Sequence, residues 1–266
     1  MLDIGTFRHV CIAASSLPAG ALIICVLLCL ATKSCVKTHC TDTNFLPSLS
    51  AAVGSNEPQR TIWIISILIS SAWRLLILFN SYINSCKLFN SYSGGHLSVS
   101  NLPYLSSFIE IFSLNMLSIV SSSDNYIQHR NYFCAFALFS VVYMITDVYV
   151  LQLRLKTIEN VFLSNILRKK ICLMIFYLIC LLVLILCFWI HMTFCPPYAY
   201  TVFSAVEYAA IFANIIYHYT TSNTFEDISM RRMITYFCTG RTIPFVNMKS
   251  EQPLLEVVRM VALTAF

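Results

Sequence analysis

Residues 170–190 read KICLMIFYLICLLVLILCFWI, one lysine followed by twenty residues without a formal charge. An α-helix rises about 1.5 Å per residue, so this run covers about 30 Å, the thickness of a bilayer's hydrocarbon core. Working outward, the stretches 11–31, 61–82, 102–120, 132–153 and 198–219 are comparably apolar. Together the six predict an all-α, polytopic transmembrane bundle. Composition agrees: 58% of the 266 residues are hydrophobic and 11% charged, where a globular protein carries about 25% charged residues. Such a chain needs lipid as its solvent. The first apolar run begins near Cys11 and is long enough to stay in the membrane as a signal-anchor.

Ser121, Ser122, Ser123 and Asp124 are turn formers and separate the third span from the fourth. No repeat or Gly/Ser linker interrupts the pattern, so residues 1–221 read as one six-span membrane domain and 222–266 as a polar tail. Direction follows from Lys and Arg, which are enriched in cytoplasmic loops. Arg154, Lys156, Arg168 and Lys169 fall between spans four and five, with Lys170 at the edge, and Arg231, Arg232 and Arg241 fall in the tail. Residues 191–197 contain neither Lys nor Arg, and only Arg130 follows span three. Both termini are therefore expected in the cytoplasm and the loops after spans one, three and five in a lumen, although Lys33, Lys37 and Arg60 run against the rule. The net charge of +5 is distributed as topology requires rather than on one soluble face, which argues against a nucleic-acid partner.

An ionisable side chain inside a span is costly unless paired or hydrated, so each one is a candidate site. Arg74 and Glu110 fall at matching depths in spans two and three and are expected to form a buried ion pair. Glu207 falls near the middle of span six without an obvious basic partner, and His218, eleven residues on, suits a shared polar face with it or an interfacial anchor. Most of the twelve cysteines lie within spans, where they pack as small apolar residues. Cys35, Cys40 and Cys195 lie in the lumenal loops. A Cys40–Cys195 bridge would staple that face, the alternatives being free thiols or a pairing through Cys35.

The first of these loops carries Thr38-His39-Cys40-Thr41-Asp42, then Asn44-Phe45-Leu46-Pro47-Ser48-Leu49-Ser50, and ends at Pro58-Gln59-Arg60. Pro47 near its start and Gly54 at its end predict a short interfacial helix between them. The second loop carries Val120-Ser121-Ser122-Ser123-Asp124, with His129 and Asn131 just after it. Cys195 then precedes Ala205-Val206-Glu207-Tyr208, Asn214 and His218. In this order the motifs resemble the post-GPI attachment to proteins factor 2 family, within the group that includes the FRAG, SFK and DRAM proteins. The resemblance covers about residues 17 to 220. Asp124-Asn125 and Arg130 depart from the more acidic loop of that family, and the tail from Ile228 is without counterpart.

The resemblance implies a role in remodelling the lipid of glycosylphosphatidylinositol (GPI) anchors, in fatty-acid reacylation, as the acyltransferase or an essential subunit of one. It implies a Golgi membrane, with the endoplasmic reticulum as a further location, and GPI lipid, lyso-GPI-anchored proteins and membrane lipids as partners. The alternative is a non-catalytic membrane regulator of the DRAM or SFK type. Acyl transfer to a hydroxyl needs a general base and donors for an oxyanion. His129, Asp124, His39 and Glu207 are the catalytic candidates, and Arg60, Asp42, His191 and His218 the substrate-binding ones. Two other readings of the loop residues stay open, contact with the phosphate and glycan of a headgroup and capping of the loops' own backbone. The sequence implies no metal and no cofactor, and it contains no nucleophile elbow, Walker loop or His-Glu-x-x-His motif. No pair of spans is broken by Gly or Pro as transporter halves are, which disfavours a channel or carrier.

Overall fold

A computed structural model describes residues 7–32, 35, 40, 44–92, 97–157 and 161–221. Seven helices follow one another among them: α1 (Phe7–Thr32), α2 (Leu49–Val53), α3 (Gln59–Tyr92), α4 (Leu97–Ile119), α5 (Tyr126–Thr157), α6 (Val161–Phe194) and α7 (Ala199–Thr221). All except the five-residue α2 are long and apolar enough to cross a membrane. The protein is an all-α, polytopic membrane protein, and residues 222–266, the expected tail, lie outside the described residues.

The six long helices close into a ring. Each packs on its neighbours in the order α1, α3, α4, α5, α6, α7, and α7 returns to α1. Leu182 and Ile185 on α6 are 68% and 69% exposed, a surface that only hydrocarbon can solvate. Inside, small and hydroxyl-bearing residues line the seams and let backbones approach. The Ser70 hydroxyl of α3 donates to Ala14 O of α1 at 2.6 Å, and the Trp63 indole N–H of α3 donates to Ser118 Oγ of α4 at 3.2 Å.

The helices outrun the apolar stretches that revealed them. Asn125 Oδ1 accepts from the Gln128 N–H at 3.1 Å and starts α5 at Tyr126, so His129 and Arg130 belong to a helix instead of a loop. Arg168 and Lys169 likewise lie on α6, and Lys170, expected at a membrane edge, is 1% exposed and paired with Asp147. Lys and Arg are good helix formers, so hydropathy measures how much of a helix meets lipid rather than where it ends.

The connections after α1, α4 and α6 share one end of the ring, the capped end. There Cys40 and Cys195 form a disulfide, with Cα atoms 5.7 Å apart and 155 residues between them in sequence. Cys35 pairs with Cys29 at the end of α1, Cα atoms 5.9 Å apart. Closing so long a loop restrains the unfolded chain. Cys195→Ser should therefore lower stability by about 2–4 kcal/mol, read as a drop in the unfolding midpoint in detergent. Reductant should lower the wild-type midpoint similarly and leave that part of the variant's loss unchanged.

Candidate functional site

The site begins with α2. Pro47 ends the extended approach, Ser48 takes the N-cap conformation (φ −69°, ψ 160°), and its hydroxyl oxygen accepts from Ala51 N at 3.1 Å. Five residues make too short a helix to stand alone, and α7 holds it. The Glu207 carboxylate accepts the Leu49 N–H at 2.9 Å, Tyr208 donates its hydroxyl to Pro47 O, Tyr200 donates to Ser48 Oγ at 2.8 Å, and Thr201 Oγ1 accepts from Phe45 N at 3.4 Å. Gly54 then ends α2 with an ordinary helical φ of −67°. A glycine is needed there for space: a Cβ would lie 2.7 Å from Ser50 O and against Ser121 and Ser122, while Ser123 donates to Gly54 O at 3.4 Å.

So held, α2 places Ser50 Oγ 2.9 Å from His129 Nε2. The other ring nitrogen, Nδ1, lies 2.7 Å from Val120 O. A carbonyl oxygen can only accept, so Nδ1 carries a proton, and Nε2 of the neutral ring is left to accept from the Ser50 hydroxyl. A hydroxyl, an imidazole and a group that orients the imidazole make the arrangement of an activated oxygen nucleophile. At the rim Arg60 bonds Asp124 at 2.5 Å and Ile119 O at 3.5 Å, both side chains being partly exposed.

Beneath Ser50 and His129 a space of about 880 Å³, partly open to its surroundings, descends between α3, α4, α5, α6 and α7. Trp63, Leu114, Phe133, Phe136 and Leu184 supply its walls, Glu207 lines it, and Arg74 and Asn214 lie at its inner end. A second space, of about 970 Å³, lies in the opposite half and shares Pro18, Arg74, Asn214 and Ile215 with the first.

Arg74 stands where the two spaces meet. Its Nη2 donates to Glu110 Oε1 at 3.0 Å and lies 2.7 Å from His218 Nε2, which is itself 2.9 Å from Glu110 Oε1. Arginine only donates and a carboxylate only accepts, so His218 Nε2 accepts from Arg74 when bare and donates to Glu110 when protonated. Asn214 Nδ2 adds bonds to Glu110 Oε1 at 3.1 Å and to Ser140 Oγ at 3.3 Å. Glu110 Oε2 remains buried without a partner among the described residues. Deeper in the second space Lys170 Nζ bonds Asp147 Oδ2 at 2.7 Å and Thr221 Oγ1 at 3.3 Å, and Tyr217 donates to the same Asp147 oxygen at 2.9 Å.

The candidates named from sequence thus separate. His129 reaches the mouth of the cavity, but Asp124 turns to Arg60 and does not orient it. Glu207 lines the cavity while anchoring α2. His218 faces Arg74 and Glu110 rather than Glu207, because eleven residues carry it about 16 Å further along α7. His191 is buried beside the disulfide, its ring 3.8 Å from Cys40 Sγ and tilted at 41° against the Tyr200 ring. His39 and Asp42 lie outside the described residues. Ser50, Asn214 and the Asp147–Lys170 pair were not singled out by sequence reasoning. Ser50 sits in no nucleophile motif, and its sequence signals are its place in the predicted interfacial helix and at the end of the Asn44–Ser50 motif.

The family model described as "Frag1/DRAM/Sfk1/Cwh43P N-terminal domain" matches residues 6–228. A Caenorhabditis elegans relative named "Post-GPI attachment to proteins factor 2" is 33% identical over 220 residues, covering 80% of this chain and 83% of its own. A Xenopus tropicalis relative named "Acyltransferase PGAP2" is 34% identical over 216 residues, covering 80% and 85%. The Drosophila melanogaster "Post-GPI attachment to proteins factor 2" is 31% identical over 223 residues, covering 81% and 84%. No solved structure matches the chain.

Removing one member of a buried ion pair strands the other. Arg74→Ala should cost about 3–5 kcal/mol of stability, measured by unfolding in detergent, whereas Arg74→Leu combined with Glu110→Leu should recover most of it. An equal loss in both variants would show that the charges do not compensate each other.

Proposed function

The chain belongs to the Frag1/DRAM/Sfk1/Cwh43P family, and from that premise we propose that it remodels the lipid of GPI anchors, transferring a fatty acyl group to a hydroxyl of a lyso-anchor. The names of its relatives, a factor for post-GPI attachment and an acyltransferase, favour this over a regulatory role. The observation that carries the chemistry is the Ser50 hydroxyl bonded to His129 Nε2 above an apolar cavity.

In the reaction Ser50 Oγ attacks the carbonyl of an acyl ester or thioester donor as its proton passes to His129 Nε2. The bond to the leaving oxygen or sulfur breaks, and His129 returns the proton to it. The lyso-anchor hydroxyl then attacks the Ser50 ester and gives its proton to Nε2. Ser50 leaves and takes that proton back. The Val120 carbonyl holds Nδ1–H throughout and favours the imidazolium formed in each half. Arg60, at the rim with Asp124, offers its remaining N–H groups to an anchor phosphate.

The capped end faces the lumen of the Golgi, or of the endoplasmic reticulum, and both termini face the cytoplasm. The Cys40–Cys195 disulfide suits an oxidising lumen, and the basic residues between spans four and five and in the tail suit a cytoplasmic opposite face. The acceptor is a lyso-GPI-anchored protein, which the lumenal leaflet presents.

Purified protein, given lyso-GPI and a labelled acyl donor with no other protein, should transfer the label. Ser50→Ala and His129→Ala should each reduce the rate by about 100-fold or more with an unchanged unfolding midpoint, and neither should restore surface GPI-anchored proteins to cells lacking the chain. Full activity in Ser50→Ala would remove it as the nucleophile.

A further inference from the structure

We infer that the apolar cavity under Ser50 and His129 receives the transferred fatty-acyl chain, and that Arg74 and Asn214 form a floor that limits the length of chain accepted. The inference rests on the acyl-transfer reading, because a carbonyl placed at Ser50 Oγ directs its chain into the space below.

The walls suit a single hydrocarbon chain and little else. Trp63, Leu114, Phe133, Phe136 and Leu184 offer apolar surface, and the Glu207 carboxyl is already engaged with Leu49 N. The depth can be read from the helices. On α5 the lining runs from His129 to Ala137, and on α3 from Trp63 to Arg74, spans of about 12 and 16 Å at 1.5 Å per residue. The floor is charged and fixed in place, since Arg74 is bonded to Glu110 and His218, and Asn214 to Glu110 and Ser140. A longer chain would have to displace that cluster and push its methyl end into the second space, beside Asp147 and Lys170. The second space is the more polar of the two, and reaching it means breaking the bonds that hold Arg74 and Asn214, so acceptance should fall abruptly at a limiting length rather than decline gradually. Phe136 and the small Ala137 line the lowest stretch of the α5 wall.

The test is a set of kcat/KM values for purified wild type, Ala137→Phe and Phe136→Ala, measured with lyso-GPI and donors of one head group but increasing saturated chain length. Wild type should show a sharp limit. Ala137→Phe should move it to shorter chains, changing the long-to-short ratio by about tenfold or more, and Phe136→Ala should move it to longer ones. Identical profiles in all three proteins, with losses parallel across lengths, would overturn the inference. Varying the acceptor's retained chain instead should leave the three proteins alike; a length limit that moves there would assign the cavity to the acceptor and overturn the claim for the transferred chain.

Displacement of a fluorescent fatty acid by unlabelled saturated acids of increasing length separates this inference from the reading beneath it. If no donor supports transfer but the displacement limit still moves to shorter acids in Ala137→Phe, the cavity assignment stands and the acyltransferase reading fails. If the displacement limit is the same in all three proteins, the assignment fails whether or not transfer occurs.

Discussion

Glu110 is wholly buried midway along α4, and Arg74 of α3, with His218 and Asn214 of α7, converges on its Oε1 atom while Ser140 of α5 completes the group. A carboxylate in a membrane interior is tolerated only if its charge is answered, and hydrocarbon offers no competing partners. Four of the six long helices are therefore committed to one arrangement at mid-depth. Hydrophobicity alone could not impose this, because lipid tails solvate a leucine as well as another helix does. The Lys170–Asp147 pair, with Tyr217 and Thr221, repeats the solution lower down and ties α5, α6 and α7. Polar contacts thus fix the order of the ring, and apolar surface fixes only its immersion.

That fixed frame gives α7 a second task at the capped end. Its first three turns carry Tyr200, Thr201, Glu207 and Tyr208, and all four bond the segment from Phe45 to Leu49. A five-residue helix has almost no stability of its own, so the position of Ser50 is set by α7 and by the Ser121–Ser123 loop packed on Gly54. The disulfide from Cys40 to Cys195 closes the same layer. Ser50 and His129 thus come from different parts of the chain, α2 and α5, and meet because a third element clamps one of them.

The same frame leaves the centre of the ring open. Aromatic and aliphatic side chains line the upper space, and charged and hydroxyl side chains mark the lower one, with Arg74 between them. The lower space is the more polar of the two, though apolar side chains such as Leu78 and Val150 line it as well. The hydroxyl–imidazole pair at the mouth and the apolar space beneath it therefore both support the acyl-transfer proposal.

Much of this was legible in the residues. The run at 170–190 and its five counterparts determined the spans, since twenty apolar residues have no stable place but lipid, and Pro47 near its start and Gly54 at its end placed the short helix. Matching depths suggested Arg74 opposite Glu110, and loop placement suggested Cys40 with Cys195. What one dimension does not hold is which faces of six helices meet. Only the tertiary structure decided that His218 joins Arg74 instead of Glu207, that Asp124 turns to Arg60 and leaves His129 to a backbone carbonyl, that Lys170 is buried against Asp147, and that Ser50 reaches His129 at all. Hydropathy reports how a segment meets its solvent; the rotation of each helix is chosen by partners tens of residues away in sequence, and a hydrogen bond forms only once that rotation is set.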